Sequence, residues 1–185
     1  FEYSLVAGLT ASGADAYLMH VTPTPGVSYI TRIDEFDCGI MISASHNPFY
    51  DNGIKIISGN GSKMDAGVEN QIEAYIDGLT DEIPLATREN IGRTVDYASG
   101  RNRYIGYLMT LATRSFKNMR VGLDCANGAS SRIAPAVYEG LGIETVTVSR
   151  EPDGLNINVD CGSTHIEQMQ KLVLSEHLDA GFAYD

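Results

Sequence analysis

Apolar positions change their period along this chain in a way that separates strands from helices. Leu5, Val6 and Leu9 recur at helical spacing within residues 1–12, and the run stops at Gly13, a usual place for a helix to end. Residues 14–20 read as a short strand, Thr22-Pro23-Thr24-Pro25-Gly26 breaks it, and a helix is expected over 27–33. Residues 38–42 form a continuous apolar run, the pattern of a buried parallel strand. A polar segment, 43–53, separates that run from Ile54-Lys55-Ile56-Ile57, which closes in a turn at Gly59-Asn60-Gly61. Residues 65–79 then place Val68, Ile72 and Ile76 on one face of a helix.

Periodicity lapses over 80–100, where Pro84, Gly92 and scattered charges mark a connection between two units. Beyond it the spacing predicts a helix over 101–116, a strand over 119–124, a glycine-containing turn and a helix over 131–141. A strand over 143–148, a loop through Pro152 and Gly154, a helix over 166–177 and a strand over 180–184 follow. This alternation predicts an α/β protein of two consecutive, mixed or mostly parallel three-layer α/β/α units, residues 1–98 and 99–185. In such sheets function collects at the carboxyl ends of the strands.

With 185 residues the chain can bury one large core or two small ones, and at 43% hydrophobic and 20% charged it reads as an ordinary globular protein. No stretch has the apolar length to cross a bilayer, and the first residues do not resemble a secretory signal. The formal charge of -11 repels nucleic acid and anionic lipid surfaces, so neither is expected as a partner. A phosphorylated ligand meets the same repulsion, so its site must concentrate cationic side chains, metal or backbone N–H groups. Ten tyrosines are spread along the chain and are assigned to packing rather than base stacking. Cys38, Cys125 and Cys161 are odd in number and far apart, which fits a reducing cytoplasm and predicts three small buried thiols. His20, His165 and His177 have no partners at ligand spacing and are assigned structural roles.

Most chemistry is concentrated in Ile42-Ser43-Ala44-Ser45-His46-Asn47-Pro48-Phe49-Tyr50-Asp51-Asn52-Gly53-Ile54-Lys55, which leaves a strand end. A serine there can accept a phosphoryl group, while Lys55 and His46 can neutralise charge on the transferring oxygens. Pro48, Asn52 and Gly53 set the loop's turns. The residues alone favour a Ser/His/Asn loop that caps neighbouring backbone groups over a reactive one. Adjacent Ser45 and His46 do not make a serine-hydrolase pair, because such a histidine comes from elsewhere in the fold.

The order Ser-Ala-Ser-His-Asn-Pro-Phe-Tyr-Asp-Asn-Gly-Ile-Lys resembles the phosphoserine loop of the alpha-D-phosphohexomutase superfamily, most closely its glucosamine-phosphate branch. Thr22-Pro23-Thr24-Pro25, Asp124-Cys125-Ala126-Asn127-Gly128-Ala129 and Glu151-Pro152-Asp153-Gly154-Leu155-Asn156-Ile157-Asn158 extend the likeness over nearly the whole chain. The resemblance implies that Ser45 carries a phosphate and that His46 and Lys55 assist its transfer. It implies interconversion of glucosamine 6-phosphate and glucosamine 1-phosphate through a 1,6-bisphosphate, feeding UDP-N-acetylglucosamine and cell-wall precursors. A phosphorylated amino sugar is then the partner, and a homodimer is compatible with it. Gly181-Phe182-Ala183-Tyr184-Asp185 resembles the lead-in to a magnesium loop, Asp-Gly-Asp-x-Asp-Arg, which makes Asp185 and Ser45 the implied Mg2+ ligands. The turn at 124–129 is expected to be a strand-to-helix connection with an N-terminal cap, without a catalytic role. Against the family pattern the chain lacks the arginine loop, most of the metal loop and the later domains, which predicts a piece inactive by itself. Two alternatives remain: a phosphomannomutase or phosphoglucomutase, and a non-catalytic module that binds a phosphorylated ligand.

Overall fold

A computed structural model describes residues 1–185. Contacts group the chain into two units: Phe1–His20, Thr24–Ile42 and Ile54–Arg101 make the first, and Val21–Pro23, Ser43–Gly53 and Asn102–Asp185 the second. The polar loop Ser43–Gly53 therefore belongs with the second unit.

The first unit contains α1 (Glu2–Ala11), β1 (Ala16–Leu18), α2 (Thr24–Ile33), most of β2 (Cys38–Ser43) and β3 (Gly53–Ser58), α3 (Ala66–Ile76) and β4 (Thr94–Asp96). Helix α2 starts three residues ahead of the expected 27, because Pro25 lies in the first turn, where its missing N–H is not needed. Its Val27 and Ile30 are buried with Ala16 and Ile57. Tyr17, Phe36 and Tyr97 form an aromatic cluster with centroids 4.9, 5.4 and 5.8 Å apart, and the Tyr97 hydroxyl donates to Asp34 at 2.7 Å.

The aperiodic stretch 80–100 hides a strand. β4 pairs in parallel with β1, from Ala16 beside Thr94 to Leu18 beside Asp96, and Arg93 N–H and its guanidinium bind the Asp15 carboxylate at 2.7 and 3.2 Å. Three residues are too few to display a period of two. The apolar run in β2 is not a buried parallel strand either. It pairs only with β3, and since Gly53 lies against Ser43 while Gly59 lies against Phe36 and Asp37, the two strands run in opposite directions. A two-stranded sheet leaves its faces half covered, and Cys38, expected to be buried, is exposed. Helix α3 is capped by the Asp65 carboxylate, which accepts Gly67 N–H at 2.8 Å, but it ends at Ile76 rather than 79 and buries none of its residues.

The second unit contains most of α4 (Ala98–Thr110), then β5 (Arg120–Asp124), α5 (Ser130–Gly140), β6 (Glu144–Val148), α6 (Ile166–Ser175) and β7 (Ala180–Ala183). The strands form a parallel sheet in the order β6-β5-β7. Val121, Leu123 and Cys125 pack with Ala134 of α5 and with Ile143, while the intervening Gly122 faces Met169 of α6. Successive strand residues point to opposite faces, so α5 and α6 cover the two sides of one sheet, the expected α/β/α sandwich. Met169 reaches the sheet because Gly181 of β7 has no side chain in its way. Helix α4 stops at Thr110, not 116, and Phe116 and Met119 pack on the core from the following loop. Cys125 and Cys161 are buried as expected.

Tyr184 packs on the same core, and burial, with the Tyr138 hydroxyl beside it, pushes its phenol well above the ordinary tyrosine range. A phenol whose folded pKa is raised contributes stability that is complete below the unfolded value, about 10, and is lost as pH rises beyond it. Melting of the chain is therefore expected to fall between pH 9 and pH 11 by more than in Tyr184→Phe, which has no proton to lose. Equal alkaline losses in the two proteins would disprove this role.

Candidate active site

The loop after β2 turns at once. Asn47 N–H donates to Ala44 C=O at 3.1 Å, Asp51 N–H to Pro48 C=O at 3.0 Å, and the Asn52 amide to Phe49 C=O at 2.8 Å. Ser45 sits in the first turn with φ of 54°, a left-handed conformation that costs a non-glycine residue about 1 kcal/mol or more. Its backbone is held on both sides: Ser45 N–H donates to Ser43 Oγ at 2.9 Å, and Ser45 C=O accepts from Asn158 Nδ2 at 3.0 Å. Asn158 Nδ2 also donates to Asn47 C=O at 3.1 Å. The two serines of the motif are thus distinguished. Ser43 Oγ is engaged by the backbone, whereas Ser45 Oγ makes no hydrogen bond and is not sealed from solvent.

The far side of this contact is built on the end of β5. Asp124 is fully buried, and its carboxylate accepts Ala126 N–H at 3.0 Å through Oδ1 and Gly162 N–H at 2.8 Å through Oδ2. This corrects the expected cap: the carboxylate ties two loops together, and α5 starts without a side-chain cap, its Ser131 hydroxyl donating back to Gly128 C=O. Gly162 has φ of +80°, and a Cβ there would lie 2.7 Å from Ala126 Cβ and 2.9 Å from Tyr184 C=O, so only glycine fits. Ala126 and Asn127 are left-handed at 52° and 50°, which aims the Ala126 C=O at Asn158 N–H, 3.0 Å away. Asn127 Oδ1 accepts Glu151 N–H at 3.1 Å and its Nδ2 donates to Asn156 C=O at 3.3 Å, while Asp153 Oδ1 accepts Leu155 and Asn156 N–H groups. The loop that carries Asn158 is therefore fixed by side chains at its base.

Of the residues singled out by sequence, Ser45 is half-buried in this turn, and His46 is exposed beside it. Lys55 is exposed on β3, in the first unit, and Asp185 is exposed beyond the end of β7. Within the second unit, no hydrogen bond or ion pair joins any two of Ser45, His46 and Asp185. No three His, Cys, Asp or Glu side chains gather into a metal-holding group. Magnesium takes six oxygens in octahedral array, so Ser45 and Asp185 do not fit it as a complete site. His20 is not isolated, since its Nε2 lies 3.1 Å from Asp96 Oδ1. Asp124 and Asn127 were expected only to form a capped turn, and Asn158 only to lie in a loop. The available signal was asparagine at turn positions that require positive φ without glycine.

Residues 1–82 match the alpha/beta/alpha domain I of phosphoglucomutase/phosphomannomutase, and residues 102–185 match its alpha/beta/alpha domain II. The chain belongs to this family. It is 66% identical to the phosphoglucosamine mutase of Lachnoclostridium phytofermentans and 65% identical to that of Lachnospira eligens, in each case over the whole of this chain and 41% of the relative. The fold is shared with a phosphoglucomutase/phosphomannomutase family protein from Burkholderia thailandensis, at a TM-score of 0.75 and 23% identity over the whole of this chain and 41% of that one. The chain thus spans about 41% of the length of the curated family members it matches. Both the family resemblance read from the loop and the α/β/α architecture read from the strand-helix alternation agree with these matches.

Proposed function

We propose that the protein carrying this chain is a phosphoglucosamine mutase that relays a phosphoryl group through Ser45. The observation that carries this reading is the Ser45 turn: a hydroxyl free of hydrogen bonds stands on a backbone fixed from both sides, while the neighbouring Ser43 is occupied. The 66% identity to a phosphoglucosamine mutase supports the choice within the family. In the relay, phosphorylated Ser45 gives its phosphoryl group to O1 of glucosamine 6-phosphate, and the P–O bond to Ser45 breaks as that to the sugar forms. The 1,6-bisphosphate turns over, and its 6-phosphoryl group returns to Ser45, releasing glucosamine 1-phosphate. Lys55 and His46 stabilise charge on the transferring oxygens.

Magnesium is the cofactor assigned to the full-length relay on its preference for hard oxygen donors. A cytoplasmic location accompanies this reading, and no helix here is long and apolar enough to cross a membrane. The product class is a sugar 1-phosphate, the form from which a UDP-activated amino sugar and cell-wall precursors are made. Turnover of glucosamine, glucose and mannose 6-phosphates by a protein of full family length carrying these residues tests the assignment. Glucosamine 6-phosphate is expected to lead by on the order of 100-fold in kcat/KM. A lead by mannose or glucose 6-phosphate would move the protein to the phosphomannomutase or phosphoglucomutase branch.

A further inference from the structure

We propose that Asn158 is a positioning residue for Ser45, holding the serine's left-handed turn by donating both hydrogens of one amide to the loop. The inference rests on the phosphoryl relay through Ser45. Three observations carry it. Asn158 lies 113 residues from Ser45, yet its Nδ2 donates to Ser45 C=O at 3.0 Å and Asn47 C=O at 3.1 Å. Both targets are carbonyl oxygens, so the amide orientation is fixed by its partners, and the nitrogen must face the loop. The two carbonyls are two residues apart and reach one nitrogen because the Ala44–Asn47 hydrogen bond folds the chain between them.

Asn158 is also prevented from following the loop if the loop moves. Its N–H donates to Ala126 C=O at 3.0 Å, and it adopts φ of 60°, a region asparagine enters more readily than most residues. Behind it stand Ala126, Asn127 and the buried Asp124 carboxylate, so the clamp is anchored to the end of β5. Left-handed non-glycine residues therefore lie at both ends of the contact, Ser45 on one side and Ala126, Asn127 and Asn158 on the other. Strain of this kind persists only where surrounding bonds over-determine the backbone, and at Ser45 the bonds are those from Ser43 and Asn158. No other side chain of this size offers two neutral donors on one atom. Aspartate would set a carboxylate against two carbonyls, and serine has a single donor.

Since Asn158 touches loop carbonyls rather than the reacting groups, its truncation to glycine should misplace Ser45 Oγ without altering the charges around it. The variants are Asn158→Gly, which removes the side chain without backbone strain or change of charge, and Asn158→Asp, which keeps shape and tolerance of positive φ but replaces the donors by a negative charge. In the full-length protein both are expected to lower kcat by about 10- to 100-fold, with KM for glucosamine 6-phosphate changed less than about threefold. In the same proteins, amide hydrogen exchange at Ser45 and Asn47, whose N–H groups are bonded to Ser43 Oγ and Ala44 C=O, should accelerate at least about tenfold while residues of β5 keep their protection. Unchanged kcat in Asn158→Gly, beside an inactive Ser45→Ala, would overturn the clamp and leave the relay standing. A Ser45→Ala protein that turns over normally would instead remove the relay, with the exchange data still reporting whether Asn158 holds the loop. Equal acceleration of exchange in β5 and the loop would assign Asn158 to general stability and also overturn the proposal.

Discussion

Ser45→Ala, made in a protein of full family length, is expected to lower mutase turnover by at least about 10⁴-fold, the scale on which removal of a nucleophile acts. That loss corresponds to roughly 5 kcal/mol of transition-state stabilisation. Ser43→Ala is the informative companion. Ser43 Oγ accepts Ser45 N–H at 2.9 Å, so its removal should loosen the turn and slow the reaction about tenfold, far short of abolishing it. The two serines are separated by one alanine, yet one hydroxyl is tied to backbone and the other is free. A coupled assay for glucosamine 1-phosphate, with incorporation of phosphate into the protein followed by mass, reads both variants. Turnover within tenfold of the parent in Ser45→Ala, or labelling that follows Ser43, would defeat the relay.

Legibility in the sequence followed the length of each signal. The parallel sheet of the second unit was readable because β5 is buried along most of its length and because the helices beside it are long enough to show their period. β4 was not, since a three-residue strand has no pattern of its own and owes its place to β1 and to the Asp15–Arg93 contact. Pro25 misled in the other direction, because a proline reads as a breaker unless the first helical turn is already known to start there. Cys38 lies in an apolar run but at the edge of a two-stranded sheet, and a run of apolar residues does not reveal how many strands will cover it. In the candidate site the loop's residue types were conspicuous, but its geometry depends on Asn158. A hydrogen bond from a side chain to a backbone carbonyl 113 residues away leaves no spacing to detect. The same holds for Asp124, whose partners are backbone N–H groups that any residue type supplies.

Asp124 should prove the most sensitive polar position in the second unit. Its carboxylate is fully buried and is committed to two backbone donors, Ala126 N–H and Gly162 N–H, which come from loops on either side of the carboxyl end of β5. Its own C=O accepts Tyr184 N–H at 2.9 Å, so the residue also fixes the end of β7 just before Asp185. Asp124→Ala leaves both N–H groups without an acceptor, and at about 1–3 kcal/mol for each stranded donor the expected destabilisation is roughly 3 kcal/mol. For a chain of this size that lowers the melting temperature by about 6–12 °C. Asp124→Asn is not a conservative repair, because its one oxygen can serve one donor while its NH2 group confronts the other, donor against donor. It should therefore recover less than half of the loss. Circular dichroism melts of the chain measure both variants, and an Asp124→Asn protein as stable as the parent would show that the two N–H groups do not require a carboxylate. Since Ala126 C=O holds Asn158, the same substitutions should also raise amide exchange at Ser45 and Asn47. A buried carboxylate thus lies at the base of the support that sets the geometry of Ser45.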